Sequence, residues 1–229
     1  MRTSYLHKQA TNEIIAAVLQ RIKTDKKVAA LSFTELHGNL SGQARQLSDK
    51  ICSLRPNRYG ISRSAVIPQS PKSMVVISGQ TYSTTEGRFP IPTRLLPRDT
   101  YRAFQALNHQ LKKDTGQELV VQSGYRSPAY QLFIFLFQLK ENAWSFEETL
   151  HSVALPGYSE HADAGRQGLD LRAARFMGPH KLYDFSRLES YRWLLKNADQ
   201  FGFQLSYPED NGTGTKFEPW HWLHSPTTF

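Results

Sequence analysis

From about residue 95 onward the apolar residues change their period repeatedly, and this alternation restricts the fold more than any other feature of the chain. Phe104, Leu107 and Leu111 recur at helical spacing, with Asp99 or Thr100 as the expected N-cap and Gly116 as the stop. Residues 119–122 (LVVQ) read as a short strand. Pro128 then opens a strongly apolar helix through Leu139, its missing N–H being harmless in a first turn. Residues 168–171 (GLDL) suit a short buried strand. Ser186 and Glu189 have capping-box spacing before a helix with Tyr191, Leu194, Leu195 and Ala198 on its inner face, stopped by Gly202. Strands over 203–207 and 220–224 complete the series. Helices and short strands mixed in this way predict an α+β fold, a small central antiparallel sheet with flanking helices.

The first 95 residues are less regular. Residues 11–23 have helical spacing, with Ile14, Ile15, Val18, Leu19 and Ile22 on one face. A second helical stretch, 28–54, is interrupted by Gly38 and Gly42. Residues 55–72 are turn-rich, punctuated by Pro56, Gly60, Pro68 and Pro71. Residues 74–78 suit a short strand, and 86–97 again hold glycine and three prolines. The expected organisation is a partly helical N-terminal extension over 1–95, to which the sequence assigns no job, followed by a catalytic domain over 96–229.

Composition removes several classes of function. Cys52 is the only cysteine, so an internal disulfide framework and a thiolate zinc site are both excluded. Any metal must be held by imidazole and carboxylate. The formal net charge of +8 favours anionic partners. There is no Lys/Arg block and no nucleic-acid module signature, so nucleic acid is not an expected partner. The N-terminus lacks the pattern of a secretory signal. No run approaches the roughly 18 apolar residues of a membrane span. A cytoplasmic location is the expectation, with the periplasm or cell envelope as the alternative where a leader precedes this sequence.

Three segments concentrate the chemistry-bearing residues: SGYRSPAYQ at 123–131, SEHADAGRQGLDL at 159–171 and EPWHWLH at 218–224. A catalytic zinc keeps three protein ligands and one open position. His161, Asp170 and His221 offer two nitrogens and one oxygen for it. Each alone also fits an ordinary role, since the chain has eight histidines. Asp170 is the oddest, because a carboxylate between two leucines is costly unless paired or metal-bound. Glu218, three residues before His221, suits a general base, or equally a loop cap. Arg126 suits a carboxylate clamp or oxyanion stabiliser, or equally a structural ion pair. Gln131 and Ser159 are neutral hydrogen-bonders.

Taken together, SGYRS with Gln131, SEH leading to an Asp in an apolar strand, Tyr207-Pro208 and EPWH resemble the D-alanyl-D-alanine carboxypeptidase family. This family includes the vancomycin-resistance carboxypeptidases and the related L,D-carboxypeptidases of peptidoglycan trimming. The resemblance runs from about residue 96 to 225. It implies a small α+β domain, Zn2+ held by His161, Asp170 and His221, and Glu218 as catalytic base. It implies that Arg126 contacts substrate and stabilises developing charge, and that Gln131, Ser159 and Tyr207 lie on the substrate side. Two departures stand out. The spacing between His161 and Asp170 is two residues longer than the family pattern, read as a loop insertion in ADAGRQ, which brings in Asp163 and His224 as substitute ligands. Ser206 stands where the family often has Arg before Tyr-Pro.

The implied activity is zinc-dependent removal of a terminal D-Ala from peptidoglycan stem peptides or muropeptides. The absent secretory pattern leans it toward L,D cleavage of tetrapeptides in cell-wall recycling. The alternatives are D,D cleavage of pentapeptides, a peptidoglycan endopeptidase, and a zinc-containing binding module without catalysis.

Overall fold

The computed structural model describes residues 2–66, 68, 74–163, 165–176 and 182–225. Pro71 of the turn-rich segment and Ala164 of the ADAGRQ loop lie outside them. In chain order the helices are α1 (Arg2–Ile22), α2 (Phe33–His37), α3 (Gly42–Cys52), α4 (Arg98–Thr115), α5 (Pro128–Glu141), α6 (Phe146–Ser152) and α7 (Glu189–Asn197). The strands are β1 (Met74–Ile77), β2 (Thr81–Thr84), β3 (Gly87–Pro90), β4 (Arg94–Pro97), β5 (Leu119–Ser123), β6 (Gln167–Ala173), β7 (Phe203–Leu205) and β8 (His221–His224). The fold is α+β, with a small antiparallel sheet and flanking helices. Among the described residues no helix is long and apolar enough to cross a membrane.

The chain forms two compact units. One, the helical unit, comprises Met1–Pro68, Arg126–Ala162 and Asn211–Lys216; the other, the sheet unit, comprises Gln69–Tyr125, Asp163–Asp210 and Phe217–Phe229.

In the helical unit α1 packs on α3 and α5, and α6 packs on α5. Ile14, Ile15 and Val18 bury the inner stripe of α1, but Leu19 is 41% exposed, so the apolar face is narrower than its composition suggested. The helix also begins at Arg2, well before residue 11. The expected second helical stretch is three short helical pieces, 28–30, 33–37 and 42–52. Ser41 caps α3 by accepting the Ala44 N–H, and Glu13 of α1 accepts both the Ser41 N–H and hydroxyl. That contact ties the first helix to the start of the third.

In the sheet unit the order is β5-β6-β8-β7, all antiparallel. Leu169 and Leu171 of β6 point to one face, where they join Phe104, Leu107 and Leu111 of α4, Leu194 of α7 and Trp222 of β8 in the core. Full burial of each such side chain contributes about 1.5–3 kcal/mol. Two ribbons precede this sheet, β1 with β4 and β2 with β3. The Gln80 side chain both donates to the Val121 carbonyl and accepts the Val121 N–H, holding this region to β5.

Three local expectations are corrected. The N-cap of α4 is Pro97, and neither Asp99 nor Thr100 caps it; Thr100 is buried and its hydroxyl lies 3.0 Å from His224 Nδ1. The N-cap of α7 is Leu188, and Ser186 lies before it in a short 3₁₀ turn. Gln117, distant in sequence, instead accepts the Ser190 N–H and donates to the Glu189 carboxylate. Leu195 is 56% exposed, one helical step past the buried Leu194. Helix α6 and the β2–β3 ribbon were not foreseen.

Candidate metal centre

Strand parity resolves the odd carboxylate of β6. Successive side chains on a strand point to opposite faces. With Leu169 and Leu171 in the core, Asp170 faces the other way at no cost to packing. It pairs across the ladders with Ser123 of β5 on one side and His221 of β8 on the other. His221 Nδ1 lies 2.9 Å from Asp170 Oδ1, with side-chain exposures of 5% and 15%. The neighbours of His221 obey the same rule, since Trp222 enters the core.

Parity also separates His221 from His224. Three residues apart on β8, they face opposite sides. His224 lies against Phe203, ring centroids 4.8 Å apart, with Thr100 beside it. Burial pushes its imidazole below the ordinary 6.5, an effect Asp99 partly opposes. His224 thus has a place in the packed side of the sheet. Asp163 is committed as well: its Oδ1 accepts the N–H groups of Gly165 and Arg166, shaping the ADAGRQ loop. Strand β6 begins at Gln167, just after these residues.

Glu218 sits in the turn that feeds β8. The His221 N–H donates to the Glu218 carbonyl at 3.0 Å, and Pro219 occupies the second position, where its fixed φ suits a turn. The Glu218 N–H donates to the Tyr207 carbonyl at 3.0 Å. Tyr207 is buried, its ring centroid 5.2 Å from that of His221. Glu218 is itself only 9% exposed.

The SGYRS segment has one position that only glycine can occupy. A Cβ on Gly124 falls 2.2 Å from the Leu95 carbonyl oxygen, and the next N–H, of Tyr125, donates to that same oxygen at 2.7 Å. In the helical unit the Arg126 N–H donates to the His161 carbonyl at 3.0 Å, pinning SGYRS to the SEH segment. Ser127 then caps α5 by accepting the Tyr130 N–H, while its hydroxyl donates to the Leu31 carbonyl. Gln131, 1% exposed, donates one amide N–H to the Ala154 carbonyl at 2.8 Å. Ser159 and His161 are both buried in the short helical turn region around 160–162.

His161 belongs to the helical unit, and Asp170 and His221 to the sheet unit. Two imidazole nitrogens and one carboxylate oxygen are the donor types a catalytic zinc takes when one position stays open, so these residues fit the ion. They do not suit a calcium site, which takes six or more oxygens.

The D-alanyl-D-alanine carboxypeptidase family model, VanY, matches residues 93–227. The D-alanyl-D-alanine carboxypeptidase of Enterococcus faecium is 29% identical over 129 residues, 55% of this chain and 36% of the relative. YodJ of Bacillus subtilis is 31% identical over 137 residues, 57% of this chain and 46% of the relative. The aligned region is thus less than half the length of either curated relative. Among solved structures, the LdcB LD-carboxypeptidase has a TM-score of 0.56 at 23% identity, covering 76% of this chain and 79% of that one; the likeness is one of fold. The family match takes in more than half of the chain, and it contains both ladders that pair Asp170 with its neighbours. The chain belongs to the D-alanyl-D-alanine carboxypeptidase family.

Proposed function

We propose that the protein is a zinc-dependent carboxypeptidase that removes the terminal D-Ala from peptidoglycan stem peptides or muropeptides. The observation that carries this reading is the Asp170–His221 pair, 2.9 Å apart on neighbouring strands, in a member of this family whose SEH segment supplies His161. Those three residues hold the zinc. When bound, the ion polarises the scissile carbonyl and brings the pKa of water toward about 7.

The remaining roles belong to the chain's own groups. Glu218 takes the proton of the attacking water and returns it to the leaving amine. Its low exposure and its hydrogen-bonded turn keep the carboxylate in one place. Arg126 holds the charge that develops on the carbonyl oxygen. Ser159, and Gln131 through the second N–H of its amide, hold the substrate's terminal carboxylate. Tyr207 packs beside His221 and borders the substrate.

The finer reading places the tetrapeptide first, an L,D cut, with D,D cleavage of the pentapeptide as its competitor. Fold likeness does not choose between the two cuts, so both substrates enter the assay. Zinc-loaded protein is incubated separately with tetrapeptide and pentapeptide muropeptides, and the products are weighed by mass spectrometry. Loss of one D-Ala from the tetrapeptide supports L,D action, and loss from the pentapeptide alone supports D,D action. Release of crosslinked fragments from intact cell wall, with no free amino acid, replaces the proposal by an endopeptidase. Glu218→Ala is expected to slow turnover roughly 100- to 10,000-fold with zinc content unchanged. Near-normal turnover in that variant removes Glu218 as the base. The cytoplasmic setting belongs to the same proposal and is tested by fractionating cells that make the protein.

A further inference from the structure

The helical unit contains a cavity of about 360 Å³ that the peptidase reading does not use. Its walls are Leu47 and Ile51 of α3, Leu136 and Leu139 of α5, and Phe146 at the start of α6. Volumes of roughly 300–1,000 Å³ with apolar walls and a few placed polar groups are the ordinary form of small-ligand sites. The charged side chains that line this cavity are Lys8 of α1 and Lys50 of α3, with His7 beside them, and among the described residues no carboxylate lines it. Both lysines are exposed, so their ammonium groups stay in water while the cavity between the helices is apolar.

The turn that closes one side is strained. Ala143 and Trp144 follow α5 with φ of 51° and 69°, two consecutive residues in the left-handed region that glycine or asparagine usually fills after a helix. Hydrogen bonds over-determine the turn. The Trp144 N–H donates to the Leu139 carbonyl at 2.8 Å and the Ser145 N–H to the Asn142 carbonyl at 2.9 Å. The result is an indole held against the cavity with Lys8 Nζ 5.0 Å from its ring centroid. Strain of this kind gathers at ligand clamps, and a cation over an indole face places charge at a fixed point.

We propose that this cavity binds one molecule of a single-chain anionic amphiphile, its alkyl chain between α3 and α5 and its head between Lys8 and Lys50. The chemistry is two-part. Apolar walls reward the removal of an alkyl chain from water, and the two lysines select the anionic head.

The probe is dodecyl phosphate, titrated below its micelle concentration into the full chain by isothermal calorimetry. Dodecyl maltoside and inorganic phosphate run in parallel. The expected result is saturable binding of one dodecyl phosphate per chain, with much weaker binding of the neutral glycoside and of phosphate alone. Lys8→Ala with Lys50→Ala, both exposed, is expected to weaken dodecyl phosphate roughly tenfold without changing the thermal melt. Leu47→Trp, which fills the cavity, is expected to abolish binding. Equal binding of the glycoside, equal binding of phosphate alone, or full affinity in the double lysine variant each overturns the proposal. So does a dimer in sedimentation that takes up no dodecyl phosphate, because the cavity then belongs to a second copy.

Discussion

The two units start their helices differently. In the helical unit, α2, α3, α5 and α6 are each capped by a serine immediately before the helix: Ser32, Ser41, Ser127 and Ser145 each accept the N–H three residues on. Ser32 and Glu35 complete a reciprocal capping box. In the sheet unit, α4 and α7 begin after Pro97 and Leu188, with no side-chain cap from the preceding residue. The N-terminus of α7 takes its partner from Gln117, more than seventy residues earlier. Local caps make helix starts that depend on the adjacent sequence. A distant cap makes a helix start that depends on the sheet being in place. The sheet unit also carries Asp170 and His221, whose positions come from strand register, whereas Arg126, Gln131 and Ser159 of the helical unit sit in or beside a helix start or a short helical turn.

Substitutions test this contrast, beginning with the largest effect. Gly124→Ala places a methyl 2.2 Å from the Leu95 carbonyl oxygen, so the backbone of the sheet unit must shift. The expected cost is about 4 kcal/mol in urea unfolding, and a cost below about 1 kcal/mol shows that the β4–β5 approach is soft. Ser127→Ala removes a local cap and the bond to Leu31 together, with an expected loss of about 1–2 kcal/mol. Gln117→Ala removes the distant cap of α7, with an expected loss of about 1 kcal/mol. If Gln117→Ala costs nothing while Ser127→Ala costs its full amount, α7 does not depend on its distant partner and the contrast fails.

The smallest effect is on pH. The folded state holds His224 neutral because burial lowers its pKa below the ordinary 6.5. Below pH 6.5 the unfolded chain therefore binds more protons than the folded one. The stability tied to His224 is full above 6.5 and declines as pH falls toward the lowered folded value. Melting temperature is expected to drop between pH 7 and pH 5, and His224→Phe to flatten that dependence. An unchanged slope in the variant assigns the acid sensitivity to other groups.

Much of the sheet unit was legible. Phe104, Leu107 and Leu111 recur at the helical period and occupy the core as that spacing requires, and Gly116 stops α4 in the left-handed conformation. The strands over 119–122 and 168–171 appear within one to two residues of their expected limits. The capping assignments failed where they looked strongest. Ser186 and Glu189 have the right spacing, but Ser186 lies in a short 3₁₀ turn and the helix begins at Glu189. Thr100 turned inward because a buried partner, His224, was available on β8. The local signals that do operate, Ser32, Ser41 and Ser145, went unread because the helices they start are only 5, 11 and 7 residues long, and short apolar periods are hard to tell from loops. The Cys52 thiol, half-buried, is pushed up to about 11, mainly by burial.

By itself the sequence determined the α+β class, the central helices and strands, the donor types available to a metal, and the family. Those properties depend on residue type and short-range period, which a linear chain displays directly. Only the tertiary structure decided that Asp170 and His221 share a sheet face while His224 lies on the other, and that a half-buried amide from Gln117 partners the start of α7. It also decided that α3 and α5 leave an apolar cavity lined by lysines between them. Each of these depends on strand register or on residues far apart in the chain. The free energy of such contacts belongs to pairs that the sequence does not bring together.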